Sequence, residues 1–291
     1  MAIYYCMDYG IYHETRNFGD DVNPLLLGKL FHPSIIESQK ICLMGIGTIL
    51  SDYHVAKIEH YERKIVFSSG VGIQKIEKKF DDSWDFVCVR GPKSAEFLGL
   101  PAEKGISDGA ILLADFYPPK PSEQRKGIIF IPHIDTSRKA GESFKKICKK
   151  LGLGYLTTDQ PSDIIIEAVQ TASLVITEAM HGAILADAMR TPWIPVSFFN
   201  HDPFKWEDWF LSIEVPYISH QILPHFWNVK KADNMTAIKM PVRLLREALA
   251  KKLFERILRE KRPLLSSDQV IEMRKRALRE RVAFINKTYE D

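Results

Sequence analysis

The sequence predicts an α/β protein of two Rossmann-like domains followed by C-terminal helices, and three observations carry that expectation. The chain has 291 residues, a size in the range of roughly 250–300 at which one hydrophobic core stops growing. Short apolar runs that end in glycine, serine or arginine alternate with helical patterns, the βαβ rhythm of an open parallel sheet. A polar, proline-rich stretch interrupts that rhythm near the middle of the chain, after which it starts again.

In the first part, Ile41–Met44, Lys64–Phe67 and Phe86–Val89 read as buried parallel strands, with helices over Asn23–Phe31 and Pro92–Leu98. Residues 118–126, PPKPSEQRK, read as the linker between a domain of residues 1–117 and one of residues 127–236. The second domain reads strand 127–131, helix 139–151, strand 153–157, helix 162–170, strand 173–177, helix 181–189 and strand 192–197. From Pro241, Val242, Leu245, Leu249, Leu253 and Ile257 recur at helical spacing; Pro263 interrupts, and Val270, Met273, Ala277 and Leu278 begin another helix. Residues 237–291 therefore form a helical tail that braces the domains.

With 45% hydrophobic and 26% charged residues the chain is an ordinary globular mixture, which excludes disorder as its main state. The net charge of +3 hides an asymmetry, because residues 237–291 carry 15 Lys and Arg against 8 Asp and Glu. Such a tail suits the solvated side of packed helices or an anionic membrane face, and nothing points to a nucleic-acid partner. Cys6, Cys42, Cys88 and Cys148 are widely spaced and three sit in apolar runs, so they read as buried thiols in a reducing cytoplasm. No basic segment followed by an apolar stretch opens the chain, and no run of about 18 apolar residues occurs, so neither export nor membrane spanning is expected.

Ligands of open α/β sheets sit beyond the carboxyl ends of the strands, and four such junctions carry chemistry. In Arg16-Asn17-Phe18-Gly19-Asp20-Asp21 a glycine turn precedes a helix. Asp20 or Asp21 is placed there to give or take a proton, and Asn17 with the amides beside Gly19 to hold a ligand oxygen; the alternative is an ordinary helix cap. The glycine turns Gly45–Thr48 and Ser68–Gly72 let the backbone at Gly47 and Gly70 approach an anion or sugar, or merely satisfy turn geometry. Arg90 ends a strand just before Lys93, and its planar fork matches a phosphate or carboxylate unless it is a plain surface residue. Ser107-Asp108-Gly109-Ala110 repeats the pattern with a carboxylate that reads equally as a cap. In the second domain His133 follows one strand, and Glu178, His181 and Gly182 follow another, with His181 at a helix N-terminus where an anion is stabilised.

Taken in order, NFGDD, GIGT, SSGVG, VRGPKSAEFLGL, SDGAILL, IPH and EAMHGAILADAMRTPWIPV resemble the polysaccharide pyruvyl transferase family over residues 14 to about 200. The resemblance implies a fold like the GT-B glycosyltransferases, with two domains facing a cleft that holds phosphoenolpyruvate as donor, and no metal or further cofactor. It puts phosphate and carboxylate contacts on Arg90 and His181, His133 near the cleft, and the family's Asn-x-Gly-Asp motif on Asn17, Gly19 and Asp20. Many members carry Arg-Leu-His-Gly where this sequence reads Ala179-Met180-His181-Gly182, which leaves Arg16, Lys93 or Arg138 to replace an arginine. The Glu-Ala-Met-His-Gly form resembles the branch that adds ketal pyruvate to bacterial exopolysaccharides.

The implied reaction protonates the methylene carbon of phosphoenolpyruvate, adds a sugar hydroxyl at C2 and expels phosphate as a second hydroxyl closes the ketal. Asp20 or Asp21 then serves proton transfer, Arg90 and His181 the anionic groups, and His133 or Glu178 the acceptor hydroxyl. The acceptor expected is a hexose of a lipid-linked oligosaccharide at the cytoplasmic face of the inner membrane, met peripherally by the basic tail and by exposed aromatics such as Trp206 and Trp209. Two rivals remain: a nucleotide-sugar glycosyltransferase on the same architecture, and a non-catalytic glycan-binding protein. Dinucleotide oxidoreduction ranks below both, since no G-x-G-x-x-G opens a helix after the first strand.

Overall fold

A computed structural model describes residues 3–6, 16–72, 76–198, 202–218, 220–221, 236–260 and 262–290. The chain runs β1 (Ile3–Tyr4), α1 (Phe18–Leu30), α2 (Pro33–Ile36), β2 (Ile41–Met44), β3 (Gly47–Leu50), α3 (Asp52–Lys57), β4 (Arg63–Val71), β5 (Trp84–Val89) and α4 (Pro92–Phe97). It continues as β6 (Ile128–Ile131), α5 (Ile134–Leu151), β7 (Gly154–Tyr155), α6 (Ser162–Thr171), β8 (Leu174–Thr177), α7 (Met180–Ala188) and β9 (Trp193–Ser197). Last come α8 (Pro203–Ser212), β10 (His220–Gln221), α9 (Thr236–Glu260) and α10 (Asp268–Tyr289). Two compact units result, one of Met1–Pro118, Asp202–Tyr217 and Ser266–Asp291, the other of Pro119–His201 and Ile218–Leu265. Of the two basic helices, α9 thus belongs with the second unit and α10 with the first.

Each unit is built on a sheet whose pairings are all parallel. In the first, β4 lies at the centre with β5 on one side and β2 on the other; β1 flanks β2. Beyond β2 the same side of β4 is taken over by β3, with Gly47 opposite Ser69 and Leu50 opposite Val71. The apolar runs Ile41–Met44, Lys64–Phe67 and Phe86–Val89 are strands as read, and Val66, Phe67, Cys88 and Val89 among them are fully buried, as strands covered on both faces must be. One junction differs from its sequence reading: Ser68–Gly72 is largely not a turn, because β4 runs on to Val71 and pairs with both β3 and β5. Ser68 adopts a left-handed φ of 67° there, at a shift in register.

The second sheet has the order β10-β9-β8-β6-β7. Its core is aromatic: Phe130, Phe144, Phe198 and Phe254 are buried together, with Phe254 of α9 5.0 Å from Phe130 and 5.9 Å from Phe198 between ring centroids. The core-facing seam of α9 is Ala250, Phe254 and Ile257, with Leu253 packed beside it; Leu253 and Ile257 thus face inward as read, whereas Leu245 and Leu249 are exposed, and the side chain of Val242 lies outside the described residues. In α10 Val270, Ile271, Leu278, Val282 and Ile285 are buried, and Met273 is exposed. Trp206 and Trp209, expected to be exposed, are buried in α8 against Phe210, so they form core and no membrane contact. Among the described residues no helix is long and apolar enough to cross a membrane.

Removing a ring from so dense a cluster leaves a cavity that cannot collapse. Phe254→Ala should destabilise the second unit by about 3–5 kcal/mol in urea unfolding, and a loss below about 1 kcal/mol would mean that α9 does not complete this core.

Candidate functional site

In the first unit the acidic motif opens α1. Asn17 occupies the N-cap position, yet its side chain does not cap; its Nδ2 donates to Asp20 Oδ2 at 2.7 Å. Gly19 lies inside the first turn of α1, not in a turn before it. Arg16 donates from Nε to Asp21 Oδ2 at 3.1 Å, an exposed pair of little energetic weight. Asp20 is half-buried, and loss of solvent pushes its carboxyl up to about 6; the Asn17 hydrogen bond opposes this, the charge of Asp21 adds to it and Lys205 of α8 opposes it. Tyr5, just after β1, is itself raised by burial and then by Asp21 and Asp20, so it faces the same carboxylates. Opposite them, fully buried Asn23 receives Ile46 N–H at 2.6 Å and donates to Ile46 O at 3.0 Å, pinning the β2–β3 connection to α1.

Arg90, expected to meet a ligand anion, is entirely buried and is met by the protein itself. Its Nε donates to Asp208 Oδ2 at 3.0 Å, Nη1 to Thr48 Oγ1 at 2.8 Å and Nη2 to Val71 O at 2.7 Å. Asp208 also accepts from Ser94 N at 2.9 Å and Ser94 Oγ at 2.6 Å. Gly70 is needed here because any Cβ on it would collide with the guanidinium. Gly47 starts β3 at φ 135°, a conformation side chains rarely adopt. Lys93 is drawn to Glu207 and sits 4.9 Å above the Phe204 ring, again tying α4 to α8. Asp108 caps the 3-10 helix Gly109–Asp115 by accepting from Ala110 N at 3.0 Å, the cap reading of that junction.

In the second unit β6 and β8 are hydrogen-bonded neighbours with Ile131 opposite Thr177, so His133 and Glu178 leave adjacent strand ends. Glu178, only 4% exposed, accepts from His133 N at 3.1 Å through Oε2 and from Phe198 N at 2.7 Å through Oε1, drawing together the carboxyl ends of β6, β8 and β9. His133 caps α5, its Nδ1 accepting from Asp135 N at 3.2 Å, which leaves Nε2 to carry the proton of the neutral ring. His181 is the second residue of α7 and half-buried, with Gly182 packed beside Thr177. Arg138 lies further along α5. Among the described residues no three His, Cys, Asp or Glu side chains are grouped to hold a metal ion.

Sequence reasoning missed Asp208, Asn23, Ser94 and Lys205. Asp208 stands 118 positions from Arg90, beyond any local pattern. Removing one member of a buried ion pair strands the other charge, so Asp208→Ala should cost about 3–5 kcal/mol in chemical denaturation. A cost near zero would show that Arg90 escapes to solvent.

Two comparisons bear on identity. The chain is similar to the succinoglycan biosynthesis protein ExoV of Rhizobium meliloti (strain 1021), 37% identical over 213 residues, which are 71% of this chain and 65% of that protein. The chain therefore spans about two thirds of the length of that curated relative. The family model for polysaccharide pyruvyl transferase matches residues 3–198, through the acidic motif of α1, the Arg90 junction and the His133 and His181 junctions. The chain belongs to the polysaccharide pyruvyl transferase family.

Proposed function

We propose that the chain transfers the enolpyruvyl unit of phosphoenolpyruvate to two hydroxyls of one hexose in an exopolysaccharide repeat unit, forming a cyclic ketal and releasing phosphate. The observation that carries this reading is Asp20, a carboxyl pushed up to about 6 at the carboxyl end of a parallel sheet, in a chain of this family. An acid of that strength keeps its proton in about a tenth of the molecules at pH 7, far more than an ordinary carboxyl, and still gives it up to carbon. Protonated Asp20 delivers its proton to the methylene carbon, the electron pair of the C=C bond forming the new C–H bond. One acceptor hydroxyl adds at C2, a second displaces phosphate from C2, and of the two hydroxyl protons one returns to Asp20 and one leaves with phosphate.

The remaining roles follow from how each side chain is engaged. Both oxygens of Glu178 accept backbone amides, which makes Glu178 a positioning residue and leaves His133 Nε2–H to orient the acceptor by donating a hydrogen bond to one of its hydroxyl oxygens. His181, beside the N-terminus of α7, is suited to an anionic group of the donor. Arg90 acts through the fold, holding α8 and with it Lys205, whose charge reaches Asp20. The reading requires the two units to turn their strand ends toward one cleft, as in GT-B enzymes, and is supported by both carrying their chemical groups at such ends. The name of the relative supports an exopolysaccharide acceptor. A lipid-linked acceptor at the inner membrane face, with the protein cytoplasmic and peripherally bound, is the corresponding setting; exposed Leu244, Leu245 and Leu249 on basic α9 support a peripheral contact.

Purified protein given phosphoenolpyruvate and a lipid-linked oligosaccharide extract should release phosphate only with the extract, and the glycan should gain the mass of one pyruvyl ketal. Consumption of nucleotide sugars instead would assign the chain to the glycosyltransferases. The pH dependence tests Asp20 directly. Its working form is the protonated one, so kcat/KM should fall about tenfold per unit as pH rises above about 6. Asp20→Asn should lower kcat by about 10²–10⁴ and abolish that limb; a wild-type profile flat up to about pH 8 would remove Asp20 from the proton transfer.

A further inference from the structure

At the carboxyl end of β7, the second unit has a cavity of about 750 Å³ between α5 and the segment that follows that strand. That size falls among ligand pockets of roughly 300–1,000 Å³. It opens where α5 is broken: Ala140 has φ −142° and ψ 16°, which interrupts the helical ladder beside Gly141. At the break lies the hydroxyl of Tyr155, shielded from solvent and without a hydrogen-bond partner, at 3.3 Å from where a Cβ on Gly141 would stand. Burial first, then the neighbouring Cys148, Asp159 and Glu142, raise the Tyr155 pKa above its usual value, so the group remains a neutral phenol with a proton to donate. Leaving such a donor unsatisfied costs stability, and its persistence in a lined cavity points to an acceptor brought by a ligand.

The rest of the lining identifies the chemistry. Arg138 and Lys145 face the cavity together with the carboxylates Glu142 and Asp159, and Thr157 donates its hydroxyl to Asp159. An anion would meet the carboxylates and a cation the basic residues, whereas a sugar uses donors and acceptors at once. We propose that this cavity is a glycan subsite, holding one sugar unit of the acceptor through the Tyr155 hydroxyl and the mixed charges around it. The assignment of that sugar to the acceptor rests on the pyruvyl transfer reading; the presence of a sugar-binding cavity does not.

The test uses the full chain, neutral oligosaccharides of an exopolysaccharide repeat unit as probe, and saturation-transfer NMR for binding. Tyr155→Phe keeps the ring against Phe130, 6.2 Å away between centroids. It should weaken oligosaccharide binding about three- to tenfold, the worth of one hydrogen bond. It should raise the KM for the oligosaccharide alike, leaving the KM for phosphoenolpyruvate and Tm unchanged, and Lys145→Ala should act in the same direction. Unaltered oligosaccharide binding in both variants overturns the proposal, as does failure of the wild-type chain to bind the oligosaccharide. Displacement of the oligosaccharide by inorganic phosphate would make this an anion site and overturns it as well. Failure of the pyruvyl transfer reading shows separately, as oligosaccharide binding with no turnover of phosphoenolpyruvate.

Discussion

The guanidinium of Arg90 lies wholly inside the first unit, and the carboxyl end of its sheet is arranged around that burial. A charge removed from water costs several kcal/mol unless it is paired and its donors are met. Here Asp208 supplies the charge, Thr48 and the Val71 carbonyl meet further donors, and Gly70 leaves the volume. Those groups come from β3, β4, α8 and the strand end itself, so one side chain fixes four elements. Because α8 returns to this unit after the chain has built most of the other, the pair also ties residues 202–217 to the sheet they cover.

The second unit solves the same problem with the opposite charge. Glu178 is buried, and each of its oxygens accepts a backbone amide, one from His133 and one from Phe198. Amide donors do not change with pH or salt, so this carboxylate holds three strand ends in register whatever binds beside them. His133 and His181, which leave those ends, inherit fixed backbone positions; the His133 side chain stays 30% exposed, while Nε2 of His181 is shielded from solvent. Rigid support under an accessible titratable group is the arrangement that a catalytic surface requires.

What could be read from the sequence divides along the same line. Strands such as Ile41–Met44 and Phe86–Val89 were legible because burial on both faces writes an uninterrupted apolar run. Ser68–Gly72 misled because its residues look like a turn; they are strand since Ser68 and Ser69 hydroxyls find carbonyl partners and Gly70 makes room for Arg90. The motif residues of the site were visible at their junctions, but not which of them face inward. Arg90 looked like a ligand contact because its partner is remote in sequence, and Trp206 and Trp209 looked exposed because acidic and basic neighbours surround them in α8. Amphipathic period located α9 and the inward side of its second half at Leu253 and Ile257, but not that of its first, for Leu245 and Leu249 satisfy the same helical spacing and are exposed.

The placement of Asp20 shows how structure and chemistry constrain each other. Burial raises its carboxyl, while Asn17 and Lys205 pull the other way, and the balance falls at about 6. Had burial acted alone the group would keep its proton too firmly to release it; with stronger pairing it would be ionised and useless as an acid. The fold carries a cost for this, since a carboxyl held above its unfolded value destabilises the folded state as pH rises through the interval from 3.8 to about 6. On the proposed reaction a donor carrying both phosphate and carboxylate, arriving beside Asp20, adds negative charge and raises the carboxyl further. The substrate thereby protonates its own acid at the pH where the empty site is mostly ionised, and Lys205, held in place through α8 by Arg90 and Asp208, limits how far that shift goes.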